Sequence, residues 1–341
     1  MGVNLKVLTN PVKIHLNHLT GRTIAVDAYN ALYQFLSIIR GENGDYLVDR
    51  EGRVTSHLSG LFYRNIKLLE LNIKPIYILD GKPPLLKTTE IQRRRVIKQK
   101  ANNLYKEAIV RGDIAQAKKY AQSTTYLKNY MIDDTKRILD LLGIPCIEAK
   151  SEGEATAAYL TNIGVATDTV SQDFDALLFG AKRLLRNVTI SGKRKIHGKN
   201  NYVDISPEEI VLEKTLNNLE VTREQLVDIG ILIGTDFNPD GFSQIGPVKA
   251  LKYVKKYGCL EKIDSIREEL RKIDFLAIRK IFLYPEVTKL KNDIVWNQPN
   301  REKIIAFLSD EHSFSEDRIN RAFDKLENIQ VKKSESLEKW F

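Results

Sequence analysis

Lys74-Pro75-Ile76-Tyr77-Ile78-Leu79-Asp80 is a short apolar run closed by an acid. Thr23-Ile24-Ala25-Val26-Asp27 is built the same way. Both have the length and the branched-residue content of strands buried on two faces. Two more runs follow. Ile144-Pro145-Cys146-Ile147-Glu148-Ala149 leads into Ser151-Glu152-Gly153-Glu154, and the stretch from Val165 to Ser171 leads into Gln172-Asp173-Phe174-Asp175. Segments with helical spacing lie between them, among them Ser56 to Leu71 and Asp134 to Leu142. Short buried strands alternating with helices predict an α/β fold, a mostly parallel central sheet flanked by helices. Ligands of such sheets gather beyond the carboxyl ends of the strands, and each strand here delivers an acid to that end.

The plain reading of any one of these acids is a helix N-cap after a strand. Four strands ending alike, two of them with paired acids (Glu152/Glu154 and Asp173/Asp175), go beyond capping. Asp236 follows another apolar run, Ile229 to Thr235. If Asp27, Asp80, Glu152, Glu154, Asp173, Asp175 and Asp236 converge, they cannot all stay ionised without cations. Oxygen-only donors, with no His or Cys in these motifs, select hard ions such as Mg²⁺ or Mn²⁺. Two such ions roughly 4 Å apart suit phosphodiester hydrolysis. Of the five histidines, only His57 lies in a segment that could face this site. A lone His is more often a packed or surface residue, so none is given a catalytic role.

The remaining composition agrees. A chain of 341 residues makes one large domain or two ordinary ones, and 43% hydrophobic residues rule out a wholly disordered chain. The net charge of +9 fits a phosphate-bearing partner. Cys146 and Cys259 are too few and too far apart for a disulfide framework or a Cys-based zinc site. There is neither an apolar run of membrane-spanning length nor a signal-peptide layout, so a soluble intracellular protein is expected, with no membrane partner. Positive charge is concentrated. Residues 85–136 carry +7 on a polar, helix-prone background and read as helices standing off the sheet. Within them Lys87 and Arg94 are two helical turns apart and share a face. Residues 182–199 hold Lys193, Arg194 and Lys195 among seven basic residues and no acid, around a predicted turn at Thr189-Ile190-Ser191-Gly192-Lys193. In Gln244-Ile245-Gly246-Pro247-Val248-Lys249-Ala250-Leu251, a Gly-Pro step opens a helix whose free N–H groups can meet a phosphate. Lys249, Lys252 and Lys256 lie on one face of that helix, which resembles a helix-hairpin-helix DNA-binding element.

Several blocks resemble the flap endonucleases, and the overall style looks archaeal. They are Val26-Asp27-Ala28-Tyr29-Asn30-Ala31-Leu32-Tyr33-Gln34-Phe35-Leu36, Thr55-Ser56-His57-Leu58-Ser59-Gly60-Leu61-Phe62-Tyr63-Arg64, Asp80-Gly81-Lys82-Pro83-Pro84, Ser151-Glu152-Gly153-Glu154-Ala155, Ser171-Gln172-Asp173-Phe174-Asp175 and Gly234-Thr235-Asp236-Phe237-Asn238. The resemblance spans nearly the whole chain in order. It implies a structure-specific 5′ nuclease that removes 5′ flaps in DNA replication and repair, with associated 5′–3′ exonuclease activity and two Mg²⁺, for which Mn²⁺ substitutes. Asp80, Glu152 and Glu154 would mainly hold one ion, Asp173 and Asp175 the other, with Asp27 and Asp236 completing the set. Tyr33 would stack on a nucleotide. Lys87 and Arg94 would steer the scissile phosphate at the base of an arch, residues 85–136, that admits the single-stranded 5′ end. The amino group at Gly2, after Met removal, would lie near the site.

The resemblance also implies a single nuclease domain over 1–330, with a helix-hairpin-helix region at 220–258 that binds duplex through Gly246 and often holds K⁺. Position 244 is Gln where the family usually has Gly, which costs about a kcal/mol or more if the turn needs positive φ. The tail, 331–341, is read as a flexible sliding-clamp tether anchored by Ser334, Leu337, Trp340 and Phe341, with Ser334 where Gln is usual. A monomer is expected, cytoplasmic or nucleoid-associated. Two other readings stay open: a gap, Holliday-junction or repair nuclease of the same superfamily, and a DNA-binding scaffold without catalysis. The seven acids argue against the scaffold.

Overall fold

A computed structural model describes residues 2–41, 45–113, 116, 119–120, 126–190, 192–195, 202–290 and 292–338. In chain order the first elements are β1 (Val12–Lys13), β2 (Thr23–Asp27), α1 (Ala28–Ile38), α2 (Ser56–Glu70), β3 (Lys74–Leu79), α3 (Thr88–Val110), α4 (Asn129–Leu141) and β4 (Cys146–Glu148). The middle of the chain forms α5 (Gly153–Asn162), β5 (Asp168–Val170), α6 (Asp175–Leu178), β6 (Arg183–Arg186), β7 (Gly192–Lys195), β8 (Tyr202–Ile205) and β9 (Glu208–Val211). Helices α7 (Leu212–Leu219), α8 (Arg223–Ile233), α9 (Pro247–Tyr257), α10 (Arg267–Leu270), α11 (Phe275–Leu283), α12 (Arg301–Ile305) and α13 (Glu316–Glu338) complete it.

The main sheet has the order β1-β9-β6-β5-β2-β3-β4. β6, β5, β2, β3 and β4 run parallel, and β9 and β1 close one edge antiparallel. Side chains alternate across it. Ile24, Val26, Tyr77 and Leu79 face a core with Leu32, Leu58 and Phe62 of α1 and α2, while Ala25, Ile76 and Ile78 face Ala157 and Leu160 of α5. Each large apolar side chain buried this way contributes roughly 1.5–3 kcal/mol. Both faces are covered, which is why these strands read as continuous apolar runs. A further core joins α6, α8 and α11 through Leu177, Leu226, Phe237 and Phe282, with Phe237 and Phe282 ring centroids 5.3 Å apart.

The topology places the acids. From β2 the chain moves outward to β3 and β4, then returns to β5 on the other side of β2. The reversal leaves a crevice at the carboxyl ends of these strands, a topological switch point. Asp27 ends β2, Asp80 follows β3, and Asp173 and Asp175 follow β5.

Helix α3 buries only Glu90, Ala101 and Ala108, and leaves Val96, Ile97 and Val110 exposed. That suits an insertion carried outside the core. The segment 85–136 is not uniform, however. α4 starts at Asn129 and buries Met131, Thr135, Ile138 and Leu139, so the last part of the segment is a core helix. A turn is present at 188–190, with the Ile190 N–H donating to Asn187 O at 3.3 Å, but it links β6 to β7 without pairing them as a hairpin: Gly192 opens strand β7, which pairs antiparallel with β8 from Gly192↔Ile205 to Lys195↔Tyr202. The glycine marks entry to the strand; the reversal lies outside the described residues. At Lys193, Arg194 and Lys195, and from Ile329 on, the backbone alone is described.

α13 runs to Glu338, so the boundary drawn at Val331 falls inside a helix. Its span has many strong helix formers and neither Gly nor Pro, so no local signal stops it. Ser334 and Leu337 lie on this helix, while Trp340 and Phe341 lie outside the described residues. Among the described residues no helix is long and apolar enough to cross a membrane.

Candidate metal centre

The capping reading and the cluster reading both hold at Asp27. Its Oδ1 accepts from the Asn30 N–H at 3.0 Å, the N-cap bond of α1. Its Oδ2 is 3.5 Å from Ser171 Oγ, which also lies 2.6 Å from Glu154 Oε1. The one hydroxyl proton of Ser171 therefore serves either acid, not both. Glu152 stands at the N-cap of α5 without capping it. Instead Asp80, from the neighbouring strand, accepts from the Gly153 N–H at 2.7 Å. A side chain at Gly153 would place its Cβ 2.7 Å from the same Asp80 oxygen, so this approach needs glycine.

Asp173 and Asp175 are met by the start of the chain. The Gly2 N–H lies 3.4 Å from Asp173 Oδ1, and the Val3 N–H donates to Asp175 Oδ1 at 2.7 Å. A Cβ at Gly2 would come within 2.6 Å of the Asp175 carboxylate. Asp236, beyond α8, is met by the arch: Lys87 Nζ is 3.2 Å from its Oδ2, and Arg94 donates to its Oδ1. Lys87 also donates to Glu152, and Arg94 Nε donates to Glu90 at 2.7 Å. Two cations of α3 and the turn before it are thus folded down onto the acids.

The electrostatics follow from burial and crowding. Burial, then Asp80, pushes the Asp27 carboxyl well above its ordinary range. Burial, then Asp173, Asp175 and Asp27, does the same to Glu154. Burial with Asp236 and Asp173 pushes Asp175 up to about 7. Asp80 and Glu152 are also raised by burial, against the pull of the Gly153 N–H and of Lys87 respectively. Burial works against the Lys87 ammonium, yet Glu152 and Asp236 hold its pKa above the usual range. Asp27, Asp80, Glu152, Glu154 and Asp175 are each raised in part by other acids of the set, Asp173 and Asp236 among them, so all seven belong to one electrostatic unit.

That unit suits a hard divalent cation. The donors are all carboxylate oxygens, three of the acids are buried and four half-buried, and they repel one another. Among the described residues no three His, Cys, Asp or Glu side chains stand ready-arranged around an ion. In this arrangement Lys87 and Arg94 supply the countercharge.

Tyr33 lies near, partly exposed, with Lys98 Nζ 4.4 Å from its ring centroid and 3.4 Å from its hydroxyl. Lys249, Lys252 and Lys256 are exposed together on α9, and Gly246 is its N-cap, followed by Pro247. Gln244 has φ 59°, so the turn does use left-handed backbone at a non-glycine residue. His57 is fully buried, with Nε2 3.3 Å from Asp134 and its ring 6.3 Å from Tyr130, so it is a packed residue of α2.

Sequence reasoning missed Asn30, Ser171, Glu90 and Lys98. The backbone N–H of Asn30 was legible as the third after a capping Asp, but its side-chain contact with Asp173 was not. Lys98 was legible as the next member of the Lys87, Arg94 stripe, four residues on.

Comparison with known proteins agrees with this geometry. Residues 1–101 match the XPG N-terminal domain and residues 143–236 match the XPG I-region. The flap endonuclease 1 of Nitrosopumilus maritimus is 54% identical over the full length of both chains. That of Pyrococcus furiosus is 47% identical, covering 100% of this chain and 99% of its own. The structure of flap endonuclease-1 from Methanococcus jannaschii superposes with a TM-score of 0.76 at 39% identity, covering 97% of this chain and 100% of that one. Acids delivered by four sheet strands and one following helix, basic residues folded over them, and likeness along the entire chain lead to one assignment: the chain belongs to the flap endonuclease family.

Proposed function

We propose that this chain is a structure-specific 5′ flap endonuclease with associated 5′–3′ exonuclease activity, hydrolysing phosphodiester bonds at flap junctions in DNA replication and repair with divalent metal ions, in general Mg²⁺. One observation carries the reading: acids from five separated segments meet at the switch point of the sheet beneath Lys87 and Arg94. A site that only bound DNA would gain nothing from a buried, self-repelling cluster facing phosphates.

In this reading two ions are held, one mainly by Asp80, Glu152 and Glu154, the other mainly by Asp173 and Asp175, with Asp27 and Asp236 completing the set partly through water. Bound there, divalent ions supply an activated water and stabilise the leaving oxygen. The chain's own residues do the rest. Lys87 and Arg94 exchange their carboxylate partners for the scissile phosphate, and their charge counts most where negative charge develops. Tyr33, backed by Lys98, offers its ring to the adjoining nucleotide. The arch helix α3 admits the single-stranded 5′ end. Gly246, Lys249, Lys252 and Lys256 hold the duplex, with Lys193, Arg194 and Lys195 as further backbone contacts. The hairpin at 241–250 would be the place for a K⁺ ion, with Gln244 standing where the family usually has Gly. The C-terminal residues Ser334, Leu337, Trp340 and Phe341 tether a monomeric enzyme to a sliding clamp.

Cleavage of a labelled double-flap DNA against a four-way junction, with and without Mg²⁺, tests the reading. Mg²⁺-dependent incision at the flap junction is expected. Preference for the four-way junction would transfer the chain to a junction-resolving role, and binding without cleavage would make it a scaffold.

A further inference from the structure

Asn30 touches two of the acidic motifs at once. Its backbone N–H caps onto Asp27 Oδ1, and its side-chain Nδ2 lies 3.4 Å from Asp173 Oδ2. The amide is held in one orientation. Its Oδ1 accepts from the Gln172 backbone N–H at 3.2 Å and from Gln34 Nε2 at 2.5 Å. Two donors converge on one end, so that end is the oxygen and the nitrogen faces the carboxylate. Gln34 is fixed in turn: its Oε1 accepts from Thr189 Oγ1 at 2.5 Å. A relay thus runs from Thr189 through Gln34 and Asn30 to Asp173. Thr189 is buried, and the other three are half-buried.

Asp173 has few other restraints. Its Oδ1 has the Gly2 N–H at 3.4 Å, and its own backbone N–H donates to Ser171 Oγ at 3.2 Å. Two long hydrogen bonds, one to each oxygen, set the plane of the carboxylate. Removing one leaves the group free to turn.

We propose that Asn30 is a positioning residue: through the relay Thr189–Gln34–Asn30 it holds the Asp173 carboxylate in the orientation that meets a divalent ion. This rests on the reading of Asp173 as an ion ligand. Asn30 itself contacts neither ion nor substrate in this role. Partners of this kind orient the ligand, and their loss typically lowers metal affinity by about 10–100-fold.

The test uses Mn²⁺ alone as the probe, titrated into full-length protein without DNA and followed by electron paramagnetic resonance. Flap cleavage is measured alongside as a function of Mg²⁺. Asn30→Ala is expected to weaken Mn²⁺ binding by about 10–100-fold and to shift the Mg²⁺ half-saturation by a similar factor, with the maximal rate recovered at high Mg²⁺. Asn30→Leu keeps much of the side chain's bulk but offers Asp173 no donor and adds no charge, so it should weaken binding at least as much. Gln34→Leu cuts the relay one step out and should move Mn²⁺ affinity in the same direction by less. Asp173→Ala is the reference: it should lose an ion and stay inactive at any Mg²⁺ concentration. Wild-type Mn²⁺ binding by Asp173→Ala would overturn the ligand reading itself. Loss of binding in Asp173→Ala with wild-type binding in both Asn30 variants would overturn the positioning role alone. A lowered maximal rate at unchanged Mn²⁺ affinity would also overturn it.

Discussion

Replacing Gly153 by Ala perturbs one oxygen of the centre and little else. The added Cβ would stand 2.7 Å from Asp80 Oδ1, where ordinary contact begins near 3.4 Å. The carboxylate must therefore retreat by about 0.7 Å. The next neighbours of the methyl, Ile78 O at 3.4 Å and Ile78 Cγ2 at 3.6 Å, tolerate it, so the shift is confined to Asp80. The 2.7 Å bond from the Gly153 N–H to Asp80 is weakened by the same movement. A hydrogen bond to a charged group contributes about 1.5–3 kcal/mol, and replacing Gly by Ala in a helix returns about 0.5–1 kcal/mol. The net effect on stability is a loss of no more than about 2.5 kcal/mol. The effect on chemistry should be larger, because a misplacement near 1 Å costs about 10²-fold in rate. Single-turnover cleavage of a double-flap substrate at saturating Mg²⁺ should fall by about 10–100-fold. Binding of the same DNA in Ca²⁺ should be unchanged. A rate within threefold of the parent would refute the claim that Asp80 is held at its working position by this glycine. A collapse of thermal stability with the rate would show that Gly153 serves packing instead.

Asp80→Ala should abolish cleavage while leaving flap binding intact or tighter, because it removes a charge that repels phosphate; activity within tenfold would sink the metal reading. Lys87→Ala and Arg94→Ala should each slow the single-turnover step by roughly 10²–10³ while weakening DNA binding much less. Unchanged rates with lost binding would make them docking contacts. The raised carboxyls give a pH signature in EDTA. Groups whose folded pKa lies above the unfolded value favour the folded state fully below about pH 4 and lose that contribution as pH rises. For Asp175 the loss extends to about pH 7, so melting temperature in EDTA should fall across that window and Mg²⁺ should restore it. A flat profile would mean that the acids are not coupled to folding. Deleting 334–341 should leave flap cleavage by the isolated enzyme unchanged and remove stimulation by a sliding clamp; equal stimulation of the truncated enzyme would exclude the tether.

The parallel part of the sheet was legible because its strands are buried on both faces, so Ile24 to Val26 and Ile76 to Leu79 show as unbroken apolar runs. Strands β1 and β9, the antiparallel margin of the sheet, were not. They are two and four residues long, and Glu208 and Glu209 in β9 are there to meet Arg186 and Arg22, partners distant in sequence. Helix α4 carries buried residues at 131, 135, 138 and 139, three apolar and Thr135 bonded back to Met131 O, but its first turns lie in a basic segment that obscured them. The strain at Gln244 was legible as a condition on the turn, and φ 59° meets that condition. The centre divides in the same way. Which acids converge follows from strand ends and topology, both local or nearly so. How each acid is held follows from groups that no motif spacing announces: the Gly153 N–H for Asp80, the Val3 N–H for Asp175, the Asn30 amide for Asp173. Lys87 and Arg94 show why. Their shared face was readable, but their direction is set by the cluster, since buried carboxylates draw in the nearest cations. On the proposed reading, divalent ions held by the acids would neutralise them, and Lys87 and Arg94 would then be free to meet the substrate phosphate. On that reading the charge that compensates the resting centre, with Lys87 beside Glu152 and Asp236, would also be the charge that acts on the substrate.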